Sequence, residues 1–481
     1  HMGLLIKNGE IVTASSRYKA DIWCEDETIT RIDRDIEPPP GAEVVDATGK
    51  FVFPGFVDPH THIHLPFMGT FAKDDYETGT IAALCGGTTT LIDFCIPSPD
   101  EEPLSAIETW REKAEGNACS DYTWHMAVTN FDETVEAQLR QIVDSGVASF
   151  KVFLAYKGAL GIDDEMLYKT LSLAEELGVI VTAHCENAEM VDALQKRLVE
   201  QGKTGPEWHE PSRPVLVEAE GTRHLCAMAE LTGASVYVVH LSCEEALAEA
   251  IRAKQRGVDV TVETLIQHLL LDKTYAERPN FEGAKFVMSP PLREKHHQEI
   301  LWRGFKDGII STLGSDHAPF DTEQKEMGRD NFCLIPNGIP SLEDRVRMFY
   351  THGVEAGRIG LHRFVDAAST QPAKTFGLFP RKGTIQLGAD ADLVVYDPDH
   401  RETISAETHH MNIDYNPFEG MQVDGRCDVV TVRGRIQVRE GEFVGEKGIG
   451  RFLEREPTHG ANTDTEAEPT KAPASPDPVS V

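Results

Sequence analysis

Positive charge is scarce in this chain of 481 residues: 46 lysines and arginines stand against 79 aspartates and glutamates, for a formal net charge of −33. Such a surface repels phosphate backbones, which excludes nucleic acid as a natural partner. No apolar run approaches the ~20 residues that span a bilayer. The first residues also lack a signal-peptide pattern, so neither a membrane nor a secreted destination is expected. The nine cysteines are scattered, and none forms a Cys-x-x-Cys pair, so a zinc ribbon or disulfide framework is not expected. Scattered thiols suit a reducing cytoplasm and read as small apolar core residues. Gly-rich nucleotide, flavin and nicotinamide fingerprints are missing too. His1-Met2 reads as a cleavage scar. Large apolar side chains almost vanish near the end, where 456–481 is rich in Pro, Thr, Ala and acid and reads as a disordered tail.

What is present is apolar material, 40% of the residues, enough for more than one average domain. Residues 3–53 read as short β elements, with Asn8-Gly9 a hairpin turn between Leu4–Ile6 and Ile11–Thr13. Asp21–Trp23 and Ile29–Ile32 follow. The segments Ala391–Tyr396 and Val429–Gly434 look alike, so one β domain is expected from both chain ends. Between them, apolar β-rich runs alternate with helical stretches such as Met166–Leu177 and Glu244–Arg256. The runs are Gly55–His62, Thr89–Cys95, Thr123–Val128, Ser149–Leu154, Val179–His184, Ser235–His240, Val258–Thr264 and Gly308–Ser315. Strand–helix alternation repeated in this way predicts a closed parallel (β/α)8 TIM-like barrel. The expected organisation is a small β-sandwich domain from 1–54 and 378–455, a metal-dependent hydrolase barrel over 55–377, and the tail.

Polar residues sit where such a barrel does its chemistry. The first run ends in Asp58-Pro59-His60-Thr61-His62, and residues i and i+2 of a strand point the same way. The fourth run carries Lys151 among apolar neighbours, where an unpaired ammonium is costly. The fifth ends at His184, the sixth at His240 and the eighth at Asp316. A lone histidine at a strand end is usually a satisfied polar group. Five strands presenting such groups on the face that carries active sites is a different matter. Imidazoles with a carboxylate suit zinc or a similar first-row divalent ion.

In that order of ligands the chain resembles the two-metal amidohydrolase superfamily. Phe150–Lys157, Ser289-Pro290-Pro291-Leu292-Arg293, Gly314–Phe320, Pro336-Asn337-Gly338 and Glu343-Asp344-Arg345 are similar to dihydropyrimidinases and D-hydantoinases. The likeness runs from about Leu4 to Pro457. It implies ring opening of 5,6-dihydropyrimidines such as dihydrouracil, as in pyrimidine catabolism, and of 5-substituted hydantoins, giving N-carbamoyl amino acids. It implies two divalent metals, zinc first among them, bridged by a hydroxide and by Lys151 carboxylated from carbon dioxide. His60, His62 and Asp316 would hold one metal, and His184 and His240 the other. Asp316 would also act as general base, Tyr156 would donate to the oxyanion, and Ser289 and Asn337 would fix the amide edge of the ring. A cytoplasmic homotetramer is the assembly this resemblance implies.

Several positions stand apart from the pattern. His64 extends the alternation of the histidine pair and reads as structural. Leu65, Phe67, Met68 and Phe71 form an apolar loop that either contacts the ring substituent or only anchors the loop. Leu160 stands where some relatives have an aromatic residue, implying a wider substituent pocket. His317, His268, His296 and His297 are not expected to be ligands, and His296-His297 reads as solvated. Allantoinase and dihydroorotase share the metal pattern and remain alternatives. So does a non-catalytic scaffold paralogue of the same fold, against which every ligand position is filled.

Overall fold

The computed structural model describes residues 3–459. Eight parallel strands run through the middle of the chain: β1 (Phe56–Thr61), β2 (Thr88–Cys95), β3 (Asp121–Ala127), β4 (Ser149–Phe153), β5 (Ile180–His184), β6 (Val236–Val238), β7 (Val260–Leu265) and β8 (Thr312–Gly314). Each lies within or across one of the eight apolar runs. Every residue of β2, β3 and β4 is buried. Strands covered on both faces need such unbroken apolar and β-branched runs. Each strand pairs with the next, from β1 to β8. The ring closes at its C-terminal rim, where Asp316 N donates to His60 O at 2.8 Å and His62 N to His317 O at 2.8 Å.

Helices cover the outside because their sequences carry both a stripe and its ends. Asp164–Leu177 starts at Asp163, whose side chain accepts from Met166 N, and stops at Gly178 in the left-handed region (φ 75°). Leu167, Leu171 and Ala174 form its buried face. No helix among the described residues is long and apolar enough to cross a membrane.

The chain ends build one nine-stranded, mostly antiparallel sheet. Its centre is the antiparallel pairing of Phe51–Pro54 with Leu393–Thr403, which joins the two ends of the chain. Here the Asn8-Gly9 expectation is corrected. Leu4–Val12 is a single strand, and its pairing with Arg17–Glu25 slips by a bulge between Ile6 and Gly9. Asn8 takes the left-handed conformation (φ 66°), and its amide donates to Asp21 Oδ1 at 2.8 Å. Gly9 lies so close to Val52 that a Cβ there would come within 2.5 Å of its side chain. Asn-Gly supplies the bulge rather than a reversal; the reversal comes at Thr13–Ser16, where Thr13 N donates to Ser16 O at 2.9 Å.

Beyond Phe443 the chain returns to the barrel base. Phe452 stacks on Trp124 at 4.9 Å. The buried Arg455 donates to Thr123 Oγ1 (3.0 Å), Phe376 O (3.2 Å) and Ser149 Oγ (3.1 Å). His459 N donates to Gly178 O at 2.9 Å, so 456–459 pack on the base, while the tail expectation for 460–481 and the scar reading of His1-Met2 lie outside the described residues. Barrel and sheet also share a buried charge cluster, in which Lys382 meets Asp121, Asp390 and Asp392 at 2.7, 3.0 and 2.8 Å. With the base covered, the C-terminal rim is the end left for a site.

Candidate active site

Side chains reach this rim from strands that end there. His60 lies within β1 and His62 one residue past it. Lys151 is central in β4, His184 closes β5, and His240 and Asp316 follow β6 and β8 by two residues. His240 (φ 38°), Asp316 (φ 49°) and Tyr156 (φ 60°) all adopt left-handed backbone. For residues with a Cβ this costs on the order of 1 kcal/mol or more, and it clusters at functional sites. All nine expected site residues (His60, His62, Lys151, Tyr156, His184, His240, Ser289, Asp316 and Asn337) line one cleft.

The donor atoms converge. His60 Nε2 and His62 Nε2 are 3.3 Å apart, and Asp316 Oδ1 lies 2.9 and 3.0 Å from them. Ligand atoms about 2.0–2.1 Å from a tetrahedral cation sit about 3.3 Å from one another, so this trio has the spacing of a coordination shell. Two imidazole nitrogens on the rim, His62 Nδ1 and His240 Nδ1, are buried without a hydrogen-bond partner among the described residues. The His184 and His240 rings meet edge to face at 4.6 Å. His184 Nε2 is held by Glu186 Oε1 at 2.5 Å, which leaves its Nδ1 for the cleft.

Lys151 is 1% exposed, and its amine makes no ion pair or hydrogen bond among the described residues. It lies 4.5 Å above the Phe94 ring. The His60 and His62 rings pack on that same ring, at 4.7 and 4.9 Å. Phe94 is thus a common floor for the lysine and the histidine pair. Burial pushes the Lys151 pKa down to about 8, against the pull of the Asp316 and Glu263 charges. Burial likewise lowers His62 to about 4 and depresses His184 and His240. His60 goes the other way, to about 9: burial opposes its charge, but Asp316 and Glu263 outweigh it. Burial raises Asp316, yet the His60 and His62 contacts overcome this and hold it well below the carboxylate range. His62, His184 and His240 therefore present lone pairs and Asp316 an ionised carboxylate, whereas His60 and Lys151 give up a proton if a divalent cation binds there. His60, His62 and Asp316 fit a cation site.

On the opposite wall, Asn337 Nδ2 donates to Ser289 Oγ at 2.9 Å. Tyr156 lines the same cleft, and burial raises its pKa, so its hydroxyl stays a donor. Leu65, Phe67 and Leu160 line the cleft. Met68 lines a neighbouring cavity behind Tyr156. Phe71 is 50% exposed and stacks on His64 outside the cleft. The four apolar loop residues thus split between pocket and anchor.

The remaining histidines hold loops. His317 Nε2 meets Asp74 Oδ2 at 2.7 Å, and its Nδ1 accepts from Ser341 N at 3.1 Å. His268 Nε2 meets Pro290 O at 3.1 Å. His296 is exposed, but the solvated reading of His297 is corrected. That ring is 3% exposed, and its Nδ1 accepts from Glu244 N at 3.1 Å, capping the helix Glu244–Gln255.

Sequence reasoning missed the carboxylates behind the histidines. Glu263 on β7 accepts from His60 Nδ1 at 2.7 Å and from His240 N at 3.0 Å through one oxygen, and from Tyr237 OH at 2.6 Å through the other. Gly314 on β8 makes room for it, since a Cβ there would lie 2.9 Å from the Glu263 carboxyl carbon. Glu186, behind His184, pairs with Arg213 Nη1 at 2.6 Å. Both glutamates are fully buried. For Glu263 the available signal was a charged residue inside an apolar strand, the same one that marked Lys151; Glu186 lies two residues past its strand and carried no such signal.

Comparison with known proteins agrees with this picture. The model of the amidohydrolase family matches residues 51–437. The chain is 51% identical over 456 residues to a D-hydantoinase of Geobacillus stearothermophilus, covering 94% of this chain and 97% of that one. It is 39% identical over 461 residues to a dihydropyrimidinase of Rattus norvegicus, covering 94% and 89%. A solved D-hydantoinase (dihydropyrimidinase) from Thermus sp. superposes with a TM-score of 0.93 at 63% identity, covering 94% of this chain and 99% of that one.

Proposed function

Because the chain belongs to the amidohydrolase family, among its D-hydantoinases and dihydropyrimidinases, enzymes that hydrolyse cyclic amides, we propose that it opens dihydropyrimidines and 5-substituted hydantoins to N-carbamoyl amino acids. The observation that carries this reading is the approach of His60 Nε2, His62 Nε2 and Asp316 Oδ1 to within 3.3 Å of one another. Lys151, His184 and His240 line the same cleft.

His60, His62 and Asp316 would hold one divalent cation, and His184 and His240 a second. Lys151 would reach both after its unprotonated amine bonds to the carbon of carbon dioxide and loses a proton, becoming an anionic carbamate. Zinc suits this nitrogen-rich set. Once bound, two such cations supply Lewis acidity for the carbonyl and acidify a water. The side chains do the rest. Asp316 takes the proton released as water adds to the carbonyl carbon, and returns it to the ring nitrogen as the C–N bond breaks. Tyr156 donates to the carbonyl oxygen as negative charge gathers on it. Ser289 and Asn337 hold the amide edge, and Leu65, Phe67 and Leu160 keep water from the substituent.

Dihydroorotase and allantoinase chemistry is less well served. A substrate carboxylate or ureido group would need its own polar or cationic partner, and Lys151 is the one lysine or arginine lining the cleft among the described residues. The nine unpaired cysteines, eight of them buried, support a cytoplasmic location. The resemblance supports a tetramer, which sizing in solution checks. The deciding experiment is one preparation assayed on dihydrouracil, hydantoin, allantoin and dihydroorotate, with metal analysis of the same sample. Turnover confined to allantoin or dihydroorotate would reverse the substrate assignment. Failure to take up divalent metal in the presence of bicarbonate would revive the scaffold alternative.

A further inference from the structure

Three buried lysines have three different surroundings. Lys382 meets three carboxylates, and Lys151 lies in the catalytic cleft. Lys325 is 1% exposed and meets no carboxylate among the described residues. Its Nζ lies instead 3.0 Å from Val287 O, 2.6 Å from Pro336 O and 2.8 Å from Gly338 O. It closes the short helix Thr322–Lys325, which Asp321 caps through Gln324 N.

The three carbonyls belong to two loops. Val287 stands two residues before Ser289, and Pro336 and Gly338 flank Asn337. The loops are also tied directly, by Gly338 N to Val287 O at 2.9 Å and by the Asn337–Ser289 bond. Carbonyl dipoles aimed at one interior point repel each other and need donors there. An ammonium has three N–H groups, a neutral amine only two. Burial pushes the amine's pKa well down, and three inward-facing acceptors oppose that push. The geometry is a small carbonyl cage filled by the chain's own cation.

We propose that Lys325 is a positioning residue for substrate recognition: its ammonium clamps the Val287–Ser289 and Pro336–Gly338 segments so that Ser289 and Asn337 meet the amide edge in register. The inference rests on the reading that those two side chains hold the ring. No step of the bond-breaking chemistry passes through Lys325, so its loss should be felt in KM more than in kcat.

The test uses metal-loaded Lys325→Met, which keeps the volume but removes the donors, and Lys325→Ala, which empties the cage. In both, KM for hydantoin and dihydrouracil should rise about tenfold or more while kcat falls less than about threefold, with metal content unchanged. Ethylammonium should restore KM in Lys325→Ala but not in Lys325→Met, whose side chain fills the space. Tetramethylammonium, which has no N–H, should restore neither. Hydrogen exchange at the Gly338 amide, which donates to Val287 O, reads the clamp without catalysis, and protection should fall in both variants. Unchanged KM with unchanged protection would overturn the clamp. So would a kcat loss that tracks metal loss, because that is general misfolding. If the wild-type enzyme opens neither ring while exchange still reports loosened loops, the substrate reading has failed and the clamp has not.

Discussion

Changing Glu263 to glutamine keeps shape and volume but removes a charge that never reaches the proposed cations. One oxygen of this fully buried carboxylate accepts from His60 Nδ1 at 2.7 Å and from His240 N at 3.0 Å. It thereby orients the imidazole of one half-site and the backbone of the other. A hydrogen bond to a charged group contributes about 1.5–3 kcal/mol, against about 0.5–1.5 for a neutral one. Neutralising the acceptor of two such bonds should therefore cost about 2 kcal/mol, or about 30-fold in affinity. That falls within the ~10–100-fold expected when the outer partner of a ligating histidine is lost. Burial leaves no solvent screening to discount. The assay is chelator competition followed by elemental analysis of wild type and Glu263→Gln, alongside melting of both metal-free proteins. A variant that keeps its metal within about threefold of wild type would refute the claim that Glu263 sets the ligand geometry. Its role would then be to satisfy Tyr237 and the strand packing.

Lys151→Ala should abolish turnover, by about 10³-fold or more, and release bound metal; an active, metal-replete variant would remove Lys151 from the bridge. Tyr156→Phe should lower kcat by about 10²-fold, the scale of one lost oxyanion donor, at full metal occupancy, whereas loss of metal would reassign the residue as structural. A fourth prediction concerns stability. Hydrogen bonds with Cys85 and then Glu343 raise the His410 pKa to about 12, and Glu442 meets its other nitrogen at 2.7 Å. The folded pKa lies above the unfolded value of about 6.5. His410 therefore contributes fully below that pH, and its contribution erodes as pH rises towards the folded value. The melting-temperature gap between wild type and His410→Gln should narrow from about pH 6 to about pH 10. A gap that stays constant or widens contradicts the imidazolium assignment.

Much of the fold was legible because it is periodic. Each of the eight apolar runs contains most of a barrel strand, since a strand buried on both faces cannot hide its composition. The histidine pair was legible because i and i+2 share a face, and Lys151 because a lysine within a buried strand is out of place. The failures have a common cause in context. Asn8-Gly9 carries the chemistry of a hairpin turn, but the sheet on both sides continues, and the same left-handed preference makes a bulge. His297 sits in a polar run, yet its ring is buried because the start of a neighbouring helix needs an acceptor.

Sequence by itself pointed to the eightfold strand–helix alternation, to the rim where polar residues end the strands and to residue types that suit a cation, since these follow from local alternation and residue type. Tertiary structure alone decided which carboxylate stands behind which imidazole, that Phe94 floors both the lysine and the histidine pair, and that Lys325 holds two loops at once. Those relations join residues tens to hundreds of positions apart. They depend on distances of about 3 Å that no one-dimensional pattern encodes, because a hydrogen bond weakens steeply once its partners are misaligned or drawn apart.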